Sequence, residues 1–243
     1  MNISSFFTGA GGLDLGFKKA GAQILYANEF DKKIWSTFEL NFTKRSNTYL
    51  DKRSITEVDV SEVPDCDGII GGPPCQSWSE AGALRGIKDK RGQLFFDFIR
   101  ILEAKQPLFF LAENVSGMLA GRHKKALKNI IGLFERSGYV VTYQLLNTSD
   151  YGIPQDRRRV IFVGYRKDLG KQFVHPAPTT FNNDQKLTLK DAIWDLRKNA
   201  LPAKEKNQSH HEKCKVPNHE YMTGSFSTIY MSRNRVRPWN GQS

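Results

Sequence analysis

The sequence predicts an α/β protein, a doubly wound and mostly parallel sheet, followed by a partial and irregular C-terminal region. Three observations carry this. Short apolar runs alternate with helix-period patterns from Ile3 to Gly138. A glycine-rich turn, Gly9 to Gly12, lies between the first such run and the first helical pattern. After Tyr165 the alternation stops and the chain turns polar and basic.

Taken in order, Ile3 to Phe7 reads as a buried strand, and Leu13 to Ala20 as the helix after the glycine turn. Gln23 to Asn28 is a second strand and Lys32 to Asn41 a second helix. Asp67 to Ile70 is a short strand stopped by Gly71-Gly72-Pro73-Pro74. Phe95, Phe98, Ile99 and Leu102 share one face of the next helix, at spacing i, i+3, i+4, i+7. Pro107 to Ala112 is another strand. Leu127, Ile130, Ile131 and Phe134 mark a helix that stops at Gly138. Tyr139 to Leu146 and Val160 to Tyr165 are strands joined by a polar loop. Pro176, Pro178, Thr179 and Thr180 form a linker, and Leu189 to Leu196 a short helix. Residues 1–170 are read as one domain and 171–243 as a linker with an appended region.

Composition limits the function. With 39% hydrophobic and 25% charged residues among 243, the chain can bury a full core, and wholesale disorder is excluded. Apolar runs such as Leu108 to Ala112 are far too short to span a bilayer, and MNISSFFTGAGG has no signal-peptide pattern. Three cysteines, Cys66, Cys75 and Cys214, make no disulfide framework and imply a reducing, cytoplasmic setting. Net charge is +11, and the stretch from Arg197 onward holds nine basic residues against three acidic. Charge so unevenly placed points to a polyanion, nucleic acid first.

Gly9, Glu29, Cys75 and Glu113 each closely follow a predicted strand, the edge where such sheets bind ligands. The glycine turn lets backbone approach a ligand but lacks the G-x-G-x-x-G spacing of dinucleotide sites. Glu29 is placed to accept from ribose hydroxyls, or is a solvated loop carboxylate. Cys75 is either a small buried hydrophobe or a nucleophile held by two prolines, whose sulfur must meet a reacting atom from one direction. Glu113 ends an apolar run, where carboxyls tend to hold protons and can act as acids. In Arg157-Arg158-Arg159, strand alternation aims Arg157 and Arg159 the same way; the plainer reading is a solvated face. His210, His211, Cys214 and His219 match no common zinc spacing, so no metal is expected.

Together and in this order, FTGAGGLDLGF, GGPPCQSWS, ENV and QDRRRV resemble the signature motifs of the DNA (cytosine-5)-methyltransferases, over residues 3 to about 165. The resemblance implies a Rossmann-like, S-adenosylmethionine-dependent fold acting on a cytosine flipped out of double-stranded DNA. It implies that Cys75 adds to C6 of the base. Glu113 would donate to N3, and Arg159 and Arg157 would hold the O2 side. It assigns Phe7, Gly9, Gly11 and Leu13 to the methionine part of the cofactor, Glu29 to its ribose and Phe30 to its adenine. Pro74 would border the methyl-donor pocket, with Gln76 and Ser77 on the DNA. The segment Asn218 to Arg237, with Arg233, Arg235 and Arg237 facing DNA, resembles the target-recognition region of bacterial enzymes that methylate GGCC.

Two departures stand out. The family usually has an aspartate after its third strand; Ser54 holds that position here, and Asp51 is the candidate substitute. The sequence ends before the family's last two motifs, which predicts a chain inactive alone and a second polypeptide as partner. Two rival readings remain, a non-catalytic DNA-binding remnant and a transferase for tRNA cytosine. Cofactor binding would test the first, and comparing DNA with tRNA as methyl acceptor the second.

Overall fold

The computed structural model describes residues 1–74, 90–180, 182 and 185–195, with backbone alone at 90–93 and 122. The expected alternation forms β1 (Asn2–Phe6), α1 (Gly12–Lys19), β2 (Gln23–Asn28), α2 (Lys32–Phe38), β3 (Tyr49–Asp51) and β4 (Gly68–Gly71). It continues as α3 (Lys90–Lys105), β5 (Phe109–Val115), α4 (Lys124–Arg136), β6 (Tyr139–Asn147), β7 (Arg158–Arg166) and α5 (Leu189–Ile193). One seven-stranded sheet results, in the order β3-β2-β1-β4-β5-β7-β6. The first five strands pair in parallel, whereas β7 runs antiparallel to both β5 and β6.

Helices cover both faces because adjacent strand residues point opposite ways. Ile69 and Phe6 pack with Phe95, Phe98 and Leu102 of α3 and with Leu127, Ile130 and Phe134 of α4. Ile70, Ile3 and Ile24 pack on the other face, against Leu13 and Phe17 of α1. Aromatic rings fill the space under α4, with Phe110 stacked on Phe134 at 4.3 Å and Tyr139 edge-on to Phe110 at 5.1 Å.

Several boundaries differ from the sequence reading. β3 was not anticipated, since a three-residue strand carries too little periodicity to detect. Glu113 and Asn114 do not follow β5 but belong to it, because β7 continues the ladder with Glu113 opposite Ile161 and Val115 opposite Arg159. Phe7 lies outside β1, with φ +55. Helix α2 gives way at Glu39 to a wide turn, Glu39–Thr43.

Among the described residues, no helix is long and apolar enough to cross a membrane, and no group of three or more His, Cys, Asp or Glu could hold a metal ion. His210, His211, Cys214 and His219 lie outside the described residues.

Candidate active site

The carboxyl ends of β1, β4 and β5 open onto a cavity of about 640 Å³. One side is the β1–α1 loop, with Phe7, Thr8, Gly12 and Leu13; the floor is Gly71 and Gly72. Glu113, Arg157 and Arg159 form the far side, and Leu146, Thr148, Tyr151 and Ile153 the outer wall.

The loop is tied down by its neighbours. Thr8 N–H donates to the Asn28 carbonyl at 3.3 Å, and Thr8 Oγ1 to Asp14 Oδ2 at 2.5 Å. Gly9 N–H donates to Glu29 Oε2 at 2.8 Å. Asp14 is fully buried; burial pushes its carboxyl above the ordinary range, against the pull of the Thr8 and Ser5 hydroxyls. The glycines divide their work. A Cβ on Gly11 would meet the Phe42 ring at 2.2 Å, and its φ is +86, so this residue serves packing beneath the loop. Gly9, at φ +57, has nothing within 4 Å of where its Cβ would stand. Gly12, not Gly11, lines the cavity.

Glu29 is half-buried at the end of β2, where its second oxygen accepts from Asp31 N–H at 2.7 Å. Phe30 beside it is 70% exposed, a bare aromatic face on the same edge. The idea that Asp51 stands in for the missing aspartate does not hold. Its carboxylate is buried and engaged by Tyr26 Oη at 2.8 Å, by Arg53 N–H at 3.0 Å and by the Arg53 guanidinium at 2.6 Å. Burial alone would raise its pKa, but the Arg53 and Tyr26 hydrogen bonds outweigh it and hold the pKa below the usual value. Arg53 Nε takes the remaining position at 3.0 Å from Oδ1, so these four donors fill the carboxylate's acceptor sites. Ser54 instead caps the short turn Ile55–Glu57.

Glu113 is the centre of the far side. Oε1 lies 2.6 Å from Arg159 Nε and 3.6 Å from Arg157 Nη2. Both arginines therefore meet Glu113 from one face, as alternation about Arg158 requires. Oε2 turns the other way, 3.6 Å from where a Cβ on Gly72 would stand. Asn114 Nδ2 donates to the Pro73 carbonyl at 2.9 Å. The ENV segment is thus fastened to the turn that leads to Cys75. Pro74 is the last residue described on that turn, half-buried and outside the cavity lining. Cys75, Gln76, Ser77, Arg233, Arg235 and Arg237 lie outside the described residues.

Sequence reasoning missed the Thr8–Asp14 pair and the wall residues Thr148, Tyr151 and Ile153. An aromatic and an aliphatic residue in the otherwise polar stretch before Gln155 were the available signal for the wall.

A seven-stranded sheet of this order, with a glycine loop and an acid–arginine cluster on one edge, defines the methyltransferase class of α/β folds. A solved prophage-encoded DNA modification methyltransferase from E. coli shares it, with TM-score 0.66 and 30% identity over 83% of this chain and 55% of that one. Spodoptera frugiperda DNMT2 shares the fold at TM-score 0.59 and 24% identity, over 72% of this chain and 53% of that one. The chain thus spans about half the length of these two structures. The chain belongs to the C-5 cytosine-specific DNA methylase family, whose pattern matches residues 1–243. Its curated relatives include the type II methyltransferases M.FnuDI of Fusobacterium nucleatum and M.NgoPII of Neisseria gonorrhoeae. The first is 57% identical over 98% of this chain and 68% of the relative; the second is 56% identical over 100% and 70%. M.MthTI of Methanothermobacter thermautotrophicus is 52% identical over 99% and 70%.

Proposed function

We propose that this chain carries the catalytic machinery for methylating C5 of cytosine in double-stranded DNA, as the modification enzyme of a type II system. The observation that carries the reading is Glu113, held between Arg159 at 2.6 Å and the Gly72–Pro73 turn that leads to Cys75. Family membership supports cytosine in DNA as the substrate. The resemblance of Asn218 to Arg237 supports GGCC as the target sequence, with Arg233, Arg235, Arg237, Gln76 and Ser77 against the DNA. Residues 171–243 then form the linker and recognition region, and the odd, sparse set of three cysteines supports a reducing, cytoplasmic location.

The residues present fit S-adenosylmethionine. The cavity runs from the Phe7–Leu13 loop to Glu113, and Glu29 and Phe30 lie outside its lining on the same sheet edge. Glu29 keeps lone pairs beyond the two backbone N–H groups it accepts, and Phe30 offers an uncovered ring. Phe7, Gly9, Gly12 and Leu13 would hold its methionine end, with Gly11 supporting the loop from beneath and Pro74 bordering the methyl donor. When bound, this cofactor supplies an electrophilic methyl group.

Cytosine C5 is a weak nucleophile until C6 carries an added group. The Cys75 thiolate forms a bond to C6, and the ring's electron pair moves toward C5 and N3. Glu113, in its protonated form, stabilises that charge by donating a hydrogen bond to N3, an effect typically worth about 10² to 10³ in rate. Arg159 and Arg157 hold the O2 side and favour the nearby thiolate. After C5 has gained its methyl group, loss of the C5 proton expels the Cys75 sulfur and restores the ring.

The test is capture on duplex DNA containing 5-fluorocytosine in GGCC, with S-adenosylmethionine present. Fluorine blocks the final elimination, so wild type, assembled with a separately expressed C-terminal fragment of a relative, should form a covalent adduct and Cys75→Ala none. An adduct of normal yield in Cys75→Ala would overturn the assignment, and a preference for tRNA as methyl acceptor would overturn the substrate.

A further inference from the structure

Three consecutive residues on the loop that carries the cavity's outer wall, Ser149, Asp150 and Tyr151, are each held by chain from far along the sequence; of the three, Tyr151 lines the cavity. Tyr151 Oη donates to the Pro176 carbonyl at 3.0 Å. The Asp150 carbonyl accepts from the Thr179 and Thr180 amides at 2.9 and 3.1 Å, and its carboxylate pairs with Lys186 Nζ at 2.7 Å. Thr180 Oγ1 donates to the Ser149 carbonyl at 2.9 Å.

The same loop is closed from within. Asn147 Nδ2 donates to Asp156 Oδ1 at 2.8 Å, and Asn147 Oδ1 accepts from Arg157 N–H at 3.1 Å. Thr148 N–H donates to the Arg157 carbonyl at 3.1 Å. Between these clamps lie a short turn, Thr148–Tyr151, Gly152 in the left-handed region, and residues 153–156, tied back by Ile153 N–H to the Thr148 carbonyl at 3.3 Å and Thr148 Oγ1 to the Gln155 carbonyl at 2.5 Å. Such a segment has little ladder bonding of its own and belongs to the part of a fold that opens locally. Yet it supplies Tyr151 and Ile153 to the cavity and leads directly into Arg157.

We propose that residues 176–180 and Lys186 act as a strap that sets the position of the Tyr151–Ile153 wall, making Tyr151 a positioning residue for the base half of the cavity. The strap belongs to the segment entering the C-terminal region. Describing this half as the place for the base rests on the function proposed above; the mechanical role of the strap does not.

Hydrogen–deuterium exchange on the ligand-free full chain tests the strap. In the double variant Thr180→Val, Lys186→Met, the amides of Thr148, Ile153 and Arg157 should exchange about tenfold faster, the effect of losing roughly one net hydrogen bond. Amides of β1 and β2 should keep their rates. Tyr151→Phe should give a smaller acceleration in the same loop, and Lys186→Arg should exchange like wild type. Wild-type rates at residues 147–157 in the double variant would overturn the strap. So would an equal acceleration in β1 and β2, which would mark general destabilisation. Adding S-adenosylhomocysteine to the wild type separates the two proposals. If the amides of residues 7–13 gain no protection while the variants behave as expected, the functional reading fails and the strap stands.

Discussion

Asn114 Nδ2 donates to the carbonyl of Pro73 at 2.9 Å, joining segments 41 residues apart. The bond is buried and ties the end of β5, which carries Glu113, to the Gly72–Pro74 turn after β4.

Loss of that contact should therefore harm chemistry more than folding. Asn114→Ala strands a buried carbonyl, a cost of about 1–3 kcal/mol in stability by urea denaturation. Its yield of 5-fluorocytosine adduct should fall further than this loss of folded protein explains. Wild-type adduct yield in a folded Asn114→Ala chain would show that the turn is positioned by other contacts.

The two arginines should not be equivalent. Arg159 lies 2.6 Å from Glu113 with a side chain 25% exposed, whereas Arg157 lies 3.6 Å away and is 48% exposed. Arg159→Ala should lower methyl transfer to DNA by about 10²-fold, and Arg157→Ala by clearly less. Equal losses would indicate that closeness to Glu113 does not rank the two arginines in catalysis.

Gly11→Ala and Gly9→Ala separate packing from backbone strain. Gly9→Ala adds only the left-handed penalty, about 1–2 kcal/mol. Gly11→Ala carries the same penalty plus the collision with Phe42, about 1–3 kcal/mol more. Denaturant midpoints should fall in that order, and a Gly11→Ala chain as stable as Gly9→Ala would mean that Phe42 has room to move.

Asp14 gives stability a pH dependence of definite sign. Burial raises its folded pKa above the ordinary 3.8, so the folded chain keeps this proton to higher pH than the unfolded chain does. Its contribution is therefore largest below 3.8 and falls as pH rises through the folded value. Asp14→Asn keeps an acceptor for Thr8 without the titration. Its Tm relative to wild type should be higher at pH 7 than at pH 4; the same difference at both would mean that Asp14 stays ionised throughout.

The parallel core, the faces of α3 and α4 and the gathering of Gly9, Glu29 and Glu113 at one edge were legible in the sequence. Each rests on local periodicity or on a residue's place just beyond an apolar run. Alternation also put Arg157 and Arg159 on one face. β3 was not legible, being three residues held by pairing with β2. Nor was the fate of Asp51, whose carboxylate is consumed by Tyr26, 25 residues away, as well as by Arg53.

By itself the sequence determined the fold class, because strand and helix periods are properties of neighbouring residues, and the family, because four ordered motifs are contiguous strings. Only tertiary structure decided which face of Glu113 meets arginine, that Gly11 serves Phe42 rather than the cavity, and that residues 176–180 and Lys186 hold the Tyr151 wall. Each of these depends on side chains from separate elements reaching within about 3–4 Å of one another, a distance that the order of residues along a chain does not encode.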